Sequence, residues 1–316
     1  MTGITRGAPS DRRAPVRAGL IKSPALREAL FGYGLVLPAV LAVGAVAAYP
    51  LGYALWLSLS HTDTAGHATG FAGISNYLNV IRDPQFLPTL ERTLYFAALV
   101  LIGTLVLGMA FALVLQRDFP GRSFVRGLLV VPWALSATVV ALMFGWIFNA
   151  QLGTLNVLLR QIGLESQPIV WFGPNGYETL GLLAFATVWP TAPFAALLYL
   201  GALQTVPEEL LRAARVDGAG PIRRFFHVTL PWVRKTTFLV CVISTIAGFS
   251  VFVLLFILTN GGPGTETTVM PWWGYETAFT NFDWATGSAI FFMIAFAIFA
   301  LCGVFYGLFV RGAARA

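Results

Sequence analysis

Apolar residues in this chain come in blocks rather than at regular intervals. Six stretches, at about 31–60, 93–116, 124–148, 180–204, 236–258 and 286–310, are nearly continuous in Leu, Val, Ala, Phe and Ile. A helix needs roughly 20 apolar residues, each rising about 1.5 Å, to cross about 30 Å of hydrocarbon. All six reach that length, which predicts an all-α integral membrane protein with six transmembrane helices. The polar stretches predict a tail over 1–30, a membrane domain over 31–316 and one long charged island at 207–231.

Charge orients the spans. With the N-terminal tail placed in the cytoplasm, seventeen of the 20 Lys and Arg residues fall on that side, and only Arg82, Arg92 and Arg160 fall outside. This asymmetry follows the positive-inside rule and predicts that both termini are cytoplasmic. It also accounts for the net charge of +6 without nucleic-acid binding, because the basic residues lie at span ends. Composition agrees, with 57% hydrophobic and 11% charged residues. Cys241 and Cys302 both fall inside predicted spans, so neither a disulfide framework nor a metal site is expected. Ala45-Val46-Ala47 resembles a signal-peptidase site, but the apolar run continues through Leu59 and predicts a retained helix.

The chemistry of an enzyme is not gathered anywhere. His61 and His67 are predicted outside and His227 inside, so they cannot share a site. No HExxH, GxSxG, CxxC or GxxxxGK[ST] run occurs, which predicts no catalytic residue, no metal and no ATP site on this chain. The spans are almost free of Asp, Glu, Lys and Arg away from their ends, so no ion relay is evident. If the chain moves a solute, the energy comes from elsewhere.

The island is too organised for a mere connector. Pro207 suits the first position of a helix, and Glu208 and Glu209 suit its positive end. A helix to about Val216 places Leu210, Leu211 and Ala214 on one side, and Gly218 can stop it in the left-handed conformation. Pro221 starts a second helix, in which Ile222, Phe225, Phe226 and Thr229 repeat at three- and four-residue spacing, and Leu230-Pro231 ends it. The expected result is two angled helices with an apolar face and an Arg-rich face. An interfacial hairpin on anionic lipid is one physical reading of that shape.

A second reading rests on pattern. Ala213-Ala214, Asp217-Gly218-Ala219, Phe225-Phe226 and Leu230-Pro231 resemble the EAA loop of permeases in binding-protein-dependent ABC importers. The run from Phe71 to Tyr77 (FAGISNY), Asp83-Pro84-Gln85-Phe86 and Thr259-Asn260-Gly261-Gly262-Pro263 resemble the sugar-permease, maltose-type group. The resemblance spans about 31–310 and implies a type I importer permease fold with its core at about 89–310. It implies a second homologous permease forming a heterodimer, two cytoplasmic ATP-binding subunits holding ATP and Mg, and an extracytoplasmic solute-binding protein. It implies a bacterial-type cell membrane location. It casts 207–231 as the coupling loop, with Glu208, Glu209, Arg212, Ala213, Ala214, Asp217, Gly218, Ala219, Phe225, Phe226, Leu230 and Pro231 as ATPase-coupling positions. Arg212 stands where the pattern usually has Glu, so the family's salt bridge is not carried over.

For the solute path, span four offers Thr187, Trp189, Thr191 and Phe194, and span five offers Ser244, Gly248, Phe249 and Ser250. Small and hydroxylated residues also serve ordinary helix packing in membranes. Trp56, Trp171, Trp272 and Trp273 lie near predicted surfaces, where belt anchoring is expected. The function expected is that of a carbohydrate importer's permease subunit. A glycerol-3-phosphate or polyol-phosphate permease is the alternative within the class, since residues 217–226 also resemble that branch. A membrane scaffold that only docks a cytoplasmic partner is the alternative outside it.

Overall fold

The computed structural model describes residues 24–164 and 167–311, with side chains from Glu28 onward except Leu30. The greater part of the expected 1–30 tail therefore lies outside the described residues. The chain divides into two compact units, Met1–Tyr53 and Ala54–Ala316. The described part of the first is the start of α1 (Pro24–Ser58), whose helix begins ahead of the apolar block. Within that unit Tyr49 and Tyr53 stack with ring centroids 6.3 Å apart.

The second unit opens with a departure from the all-α expectation. Strands β1 (Ser60–Thr62) and β2 (Ala68–Phe71) pair as an antiparallel hairpin. Its turn is local chemistry: the backbone N–H of His67 donates to the Asp63 carboxylate (2.8 Å), holding that carboxyl below its ordinary range. The buried Asn76 of α2 (Ser75–Arg82) donates to the carbonyls of Ser58 and Ser60, clamping the base of the hairpin.

Helix α3 (Phe86–Gln116) extends outward past the predicted start of its apolar block. The predicted third span is a broken one. Helices α4 (Arg122–Ala134) and α5 (Ala137–Ile147) meet at a 97° bend. Pro132 removes one helical donor near the end of α4, and Ser136 takes an extended conformation and caps Val139 (3.3 Å), which starts a new helix. After α6 (Thr154–Gln161), α7 (Gly176–Leu203) forms the centre of the unit against α3.

The predicted fifth span is also interrupted. Helices α11 (Arg234–Phe249) and α12 (Val253–Leu258) are separated by Ser250–Phe252. A rigid turn follows, in which Asn260 and Gly261 are left-handed (φ 51° and 79°). Then come α13 (Met270–Tyr275), a π-helical turn over Glu276–Thr280 and α14 (Trp284–Phe309). Trp272 and Trp273, expected as belt anchors, are instead buried in the protein. Among the described residues, five helices are long and apolar enough to cross a membrane, or six with the bent pair taken as one. Trp56 remains half-exposed and stacks on Phe71, and Trp171 donates to Asn156 (3.1 Å).

Close backbone approach holds α3 in place. A Cβ on Gly108 would sit 2.7 Å from the Ala195 Cβ of α7, and one on Gly248 would sit 2.8 Å from the Ala97 Cα. In lipid, which offers no hydrophobic drive between helices, such small-residue contacts supply the packing. Polar contacts add to it: Thr104 and Thr191 share a hydrogen bond (3.1 Å), and Thr93 accepts from the Met270 N–H at the start of α13 (2.8 Å). Gly108→Ala is expected to cost about 1–3 kcal/mol through overpacking. Gly201→Ala on α7, with open space at its Cβ, is expected to cost nothing. Thermal unfolding followed by size-exclusion checks this, and equal stability of the two variants would contradict the close-packing account.

Candidate functional site

The charged island forms a two-helix loop between α7 and α11. Helix α8 (Glu208–Val216) starts one residue later than the sequence predicts, because Pro207 is extended and serves as the N-cap. Glu208 and Glu209 occupy the first turn, where the helix dipole favours acids. Arg212, the departure from the resembled pattern, pairs with Glu208 one turn back. Both side chains are exposed, so the pair contributes little to stability.

The helix stop is closed on itself. Ala219 N–H donates to the Ala214 carbonyl (2.9 Å) and Gly218 N–H to that of Arg215 (3.0 Å), with Gly218 at φ 76°. This is a Schellman termination, which satisfies the last carbonyls and fixes the exit direction. Helix α9 (Pro221–Arg224) follows with Pro221 at its start. Leu230-Pro231 does not end the second helix as predicted. A π-helical turn over Phe225–Thr229, closed by the Leu230 N–H on the Phe225 carbonyl, leads into α10 (Leu230–Trp232). The wider turn leaves room for Pro231, which would otherwise crowd the preceding helical turn. Trp232 Nε1 then donates to Thr205 Oγ1 (3.1 Å), tying the end of the loop to its beginning.

The π turn also divides the apolar residues expected on one face. Phe225 and Leu230 pack inward against the cluster of Leu115, Tyr199 and Val233. Ile222 and Phe226 face outward at 74% and 57% exposure, and Val216 does so at 87%. Between the helices lies a groove of about 450 Å³, which brings together Ala213, Ala214, Asp217 and Pro231. Glu209 and Gly218 are exposed and Ala219 is half-buried. The loop can therefore act as a preformed lever with an apolar tip ringed by Arg215 and Arg223.

The predicted path residues separate into four environments. Thr187 and Thr191 donate back to the carbonyls of Leu183 and Thr187 (both 2.9 Å), next to Pro190 and Pro193. Trp189 and Phe194 join rings: Trp189 meets Phe144 edge-on (5.8 Å), and Phe194 stacks flat on Trp133 (5.1 Å). Ser244 and Gly248 are buried where α11 packs, and Ser244 Oγ has no hydrogen-bond partner among the described residues. Phe249 and Ser250 do line a cavity, of about 450 Å³, together with Phe252, Tyr275 and Phe291. Sequence reasoning missed these last three. Ser250 breaks no helix by itself, and Tyr275 is recruited by a turn far along the chain.

The segments at the start of α3, at the start of α7 and before α13 are cross-linked by polar contacts. Tyr177 donates to Glu91 (2.8 Å), and Arg92 lies 3.6 Å from Glu266. Gly176 packs so closely on Glu266 that a Cβ there would meet its carbonyl.

Similarity to known proteins agrees with this geometry. The family model described as "Binding-protein-dependent transport system inner membrane component" matches residues 104–315. The trehalose transport system permease protein SugA of Mycobacterium tuberculosis is 36% identical over 285 residues, covering 90% of each chain. The sulfoquinovosyl glycerol transport system permease protein SmoG of Agrobacterium fabrum is 31% identical, over 90% of this chain and 91% of that one. The sn-glycerol-3-phosphate transport system permease protein UgpA of Shigella flexneri is 30% identical, over 88% and 93%. A chain of the crystal structure of a bacterial alginate ABC transporter, in complex with an alginate pentasaccharide-bound periplasmic protein, shares the fold. Its TM-score is 0.74 at 18% identity, covering 91% of this chain and 96% of that one.

The left-handed Gly218 makes a local prediction. A β-branched residue there costs roughly 1–2 kcal/mol, whereas Asn tolerates the conformation. Hydrogen exchange at Ala219 should stay slow in Gly218→Asn and quicken about fivefold or more in Gly218→Val. Identical rates in the two variants would exclude the Schellman stop.

Proposed function

The chain belongs to the family of binding-protein-dependent transport system inner membrane components, and from that premise we propose that it is the permease subunit of an ATP-driven carbohydrate importer. Six crossings with both termini cytoplasmic are part of this reading, and the seventeen-to-three basic asymmetry supports the orientation. In that orientation the two-helix loop faces the cytoplasm. The observation that carries the reading is this loop: a self-terminated lever whose exposed apolar tip, Val216 and Ile222, has no cover among the described residues. It stands directly before α11, and no Walker A run exists on the same chain to supply energy.

The partners proposed are two cytoplasmic ATP-binding subunits, which hold the ATP and Mg, a second homologous permease and an extracytoplasmic solute-binding protein. Closure of the ATP-binding subunits moves the loop as a rigid body. Phe225 and Leu230, packed on the cytoplasmic cluster, pass that motion to α3, α7 and α11. The coupling positions proposed are Glu208, Glu209, Arg212, Ala213, Ala214, Asp217, Gly218, Ala219, Phe225, Phe226, Leu230 and Pro231. Of the predicted path residues, Phe249 and Ser250 have the best support, since they reach a cavity at the break in α11–α12. Its rings and hydroxyls suit a neutral sugar, whose apolar faces stack on aromatics. A phosphate ester would want Arg or Lys in that lining, which has neither.

Reconstitution with the cognate ATP-binding subunits and solute-binding protein tests the reading. Sugar-loaded binding protein is expected to stimulate ATP hydrolysis, and Gly218→Leu to return it to the basal rate while assembly persists. Stimulation by glycerol-3-phosphate alone would move the assignment to the polyol-phosphate branch. Absence of stimulation by any loaded binding protein would leave a docking scaffold.

A further inference from the structure

We propose that the cytoplasmic half of the bundle carries a site for an anionic phospholipid, seated directly beneath the two-helix loop. The acyl part of the site is a groove of about 470 Å³ with an almost wholly apolar lining. Leu105, Met109 and Leu113 of α3 form one wall, Tyr199 and Phe225 form the floor, and Phe309 of α14 closes the far side. These positions follow about 12 Å of α3 at its helical rise, inside the apolar part of the span.

The headgroup part rests on independent observations. Arg224 immediately precedes Phe225, which lines the groove, and its buried Nε has no hydrogen-bond partner among the described residues. The buried Nε and Nη2 of Arg126 lack one too, and the neighbouring Val125 packs on the same apolar cluster as Phe225. A buried guanidinium nitrogen without an acceptor is costly, and the need is met by an oxygen-rich anion supplied from outside the chain. The other elements bordering the groove add charge of the same sign. Lys235 precedes Thr237 and Arg311 follows Phe309, while Arg234 lines the neighbouring groove together with Asp217. No Asp or Glu occurs anywhere from 218 to 265 or from 284 to 311. Of the acids in and beside the loop, Asp118 pairs with Arg122 and Glu208 with Arg212, Asp217 lines the neighbouring groove with Arg234, and Glu209 is exposed. An apolar trough whose neighbouring segments carry the unpartnered nitrogens of Arg224 and Arg126 matches a phosphodiester headgroup with its chain drawn inward.

The site has a consequence for coupling. Phe225 and Leu230 are the residues through which the loop rests on the bundle, and both line the groove. A chain filling it completes the packing under the π turn and stiffens the joint.

The placement in the cytoplasmic leaflet rests on the proposed orientation, but lipid retention is read whether or not the protein transports sugar. The test is native mass spectrometry of the intact importer with added phosphatidylglycerol or phosphatidylcholine of identical chains. Wild type is expected to retain phosphatidylglycerol preferentially. Arg224→Gln should weaken that retention about fivefold, and Arg224→Lys should restore most of it. Ala110→Trp, which fills the groove without touching charge, should abolish retention of both lipids. Equal retention of the two lipids by wild type, or unchanged retention in Ala110→Trp, would overturn the site. Cross-linking of Ala110→Cys to a partner subunit in the intact importer would also overturn it, by making the groove a protein interface.

Discussion

A backbone N–H or C=O left unpaired in hydrocarbon costs several kcal/mol, and this cost decides where the chain can bend. Straight spans meet it with helical bonds. Departures from straightness in this protein carry their own compensation. The 97° bend between α4 and α5 has the Ser136 cap. In α7, the hydroxyls of Thr187 and Thr191 bond back to the helix beside Pro190 and Pro193, at the carbonyls of Leu183 and Thr187 rather than at those the prolines free. The gap between α11 and α12 opens on a cavity rather than on lipid alone, where water or a solute can serve the freed groups.

The same accounting shapes the loop outside the membrane. A connector of this length would normally be soft, yet this one has a Schellman stop at Gly218, a proline start at Pro221 and a Trp232–Thr205 tie across its base. Few internal freedoms remain, so force applied at Val216 or Ile222 reaches Phe225 and Leu230 with little loss. Rigidity outside and close packing inside, at Gly108 against Ala195 and Gly248 against Ala97, make one mechanical train. Transport by rigid-body rocking needs such a train, because packed cores switch between arrangements rather than deform continuously.

Much of this was legible in the residues. The apolar blocks located the long helices, with ends within about four positions except the starts of α1 and α3, which lie seven residues earlier, since twenty consecutive apolar residues have few other uses in a chain of this composition. Gly218 and Pro221 announced the loop's turn through their own backbone chemistry. What stayed hidden depends on distant partners. Ser250 carries no local signal for a helix break, and at the break Phe252 packs on Trp272 and Tyr275 from far along the chain. Trp272 and Trp273 looked like surface anchors because sequence position alone does not reveal that their segment folds back into the protein. The π turn at Phe225–Thr229 answers Pro231, and it leaves Phe226 largely exposed even though its ring still meets that of Phe225 edge-on (5.1 Å). The hairpin at Ser60–Phe71 is too short for any pattern of alternation to announce.

The central claim is that the exposed tip of the loop seats on an ATP-binding subunit. The most direct measurement is site-specific cross-linking in native membranes, with a cysteine at Val216 and a short bifunctional reagent. The account predicts a single adduct between this chain and the ATP-binding subunit, with a yield that changes when ATP is bound. A Val216 cysteine that labels freely with a water-soluble maleimide in the assembled complex, and forms no adduct in either nucleotide state, would contradict it.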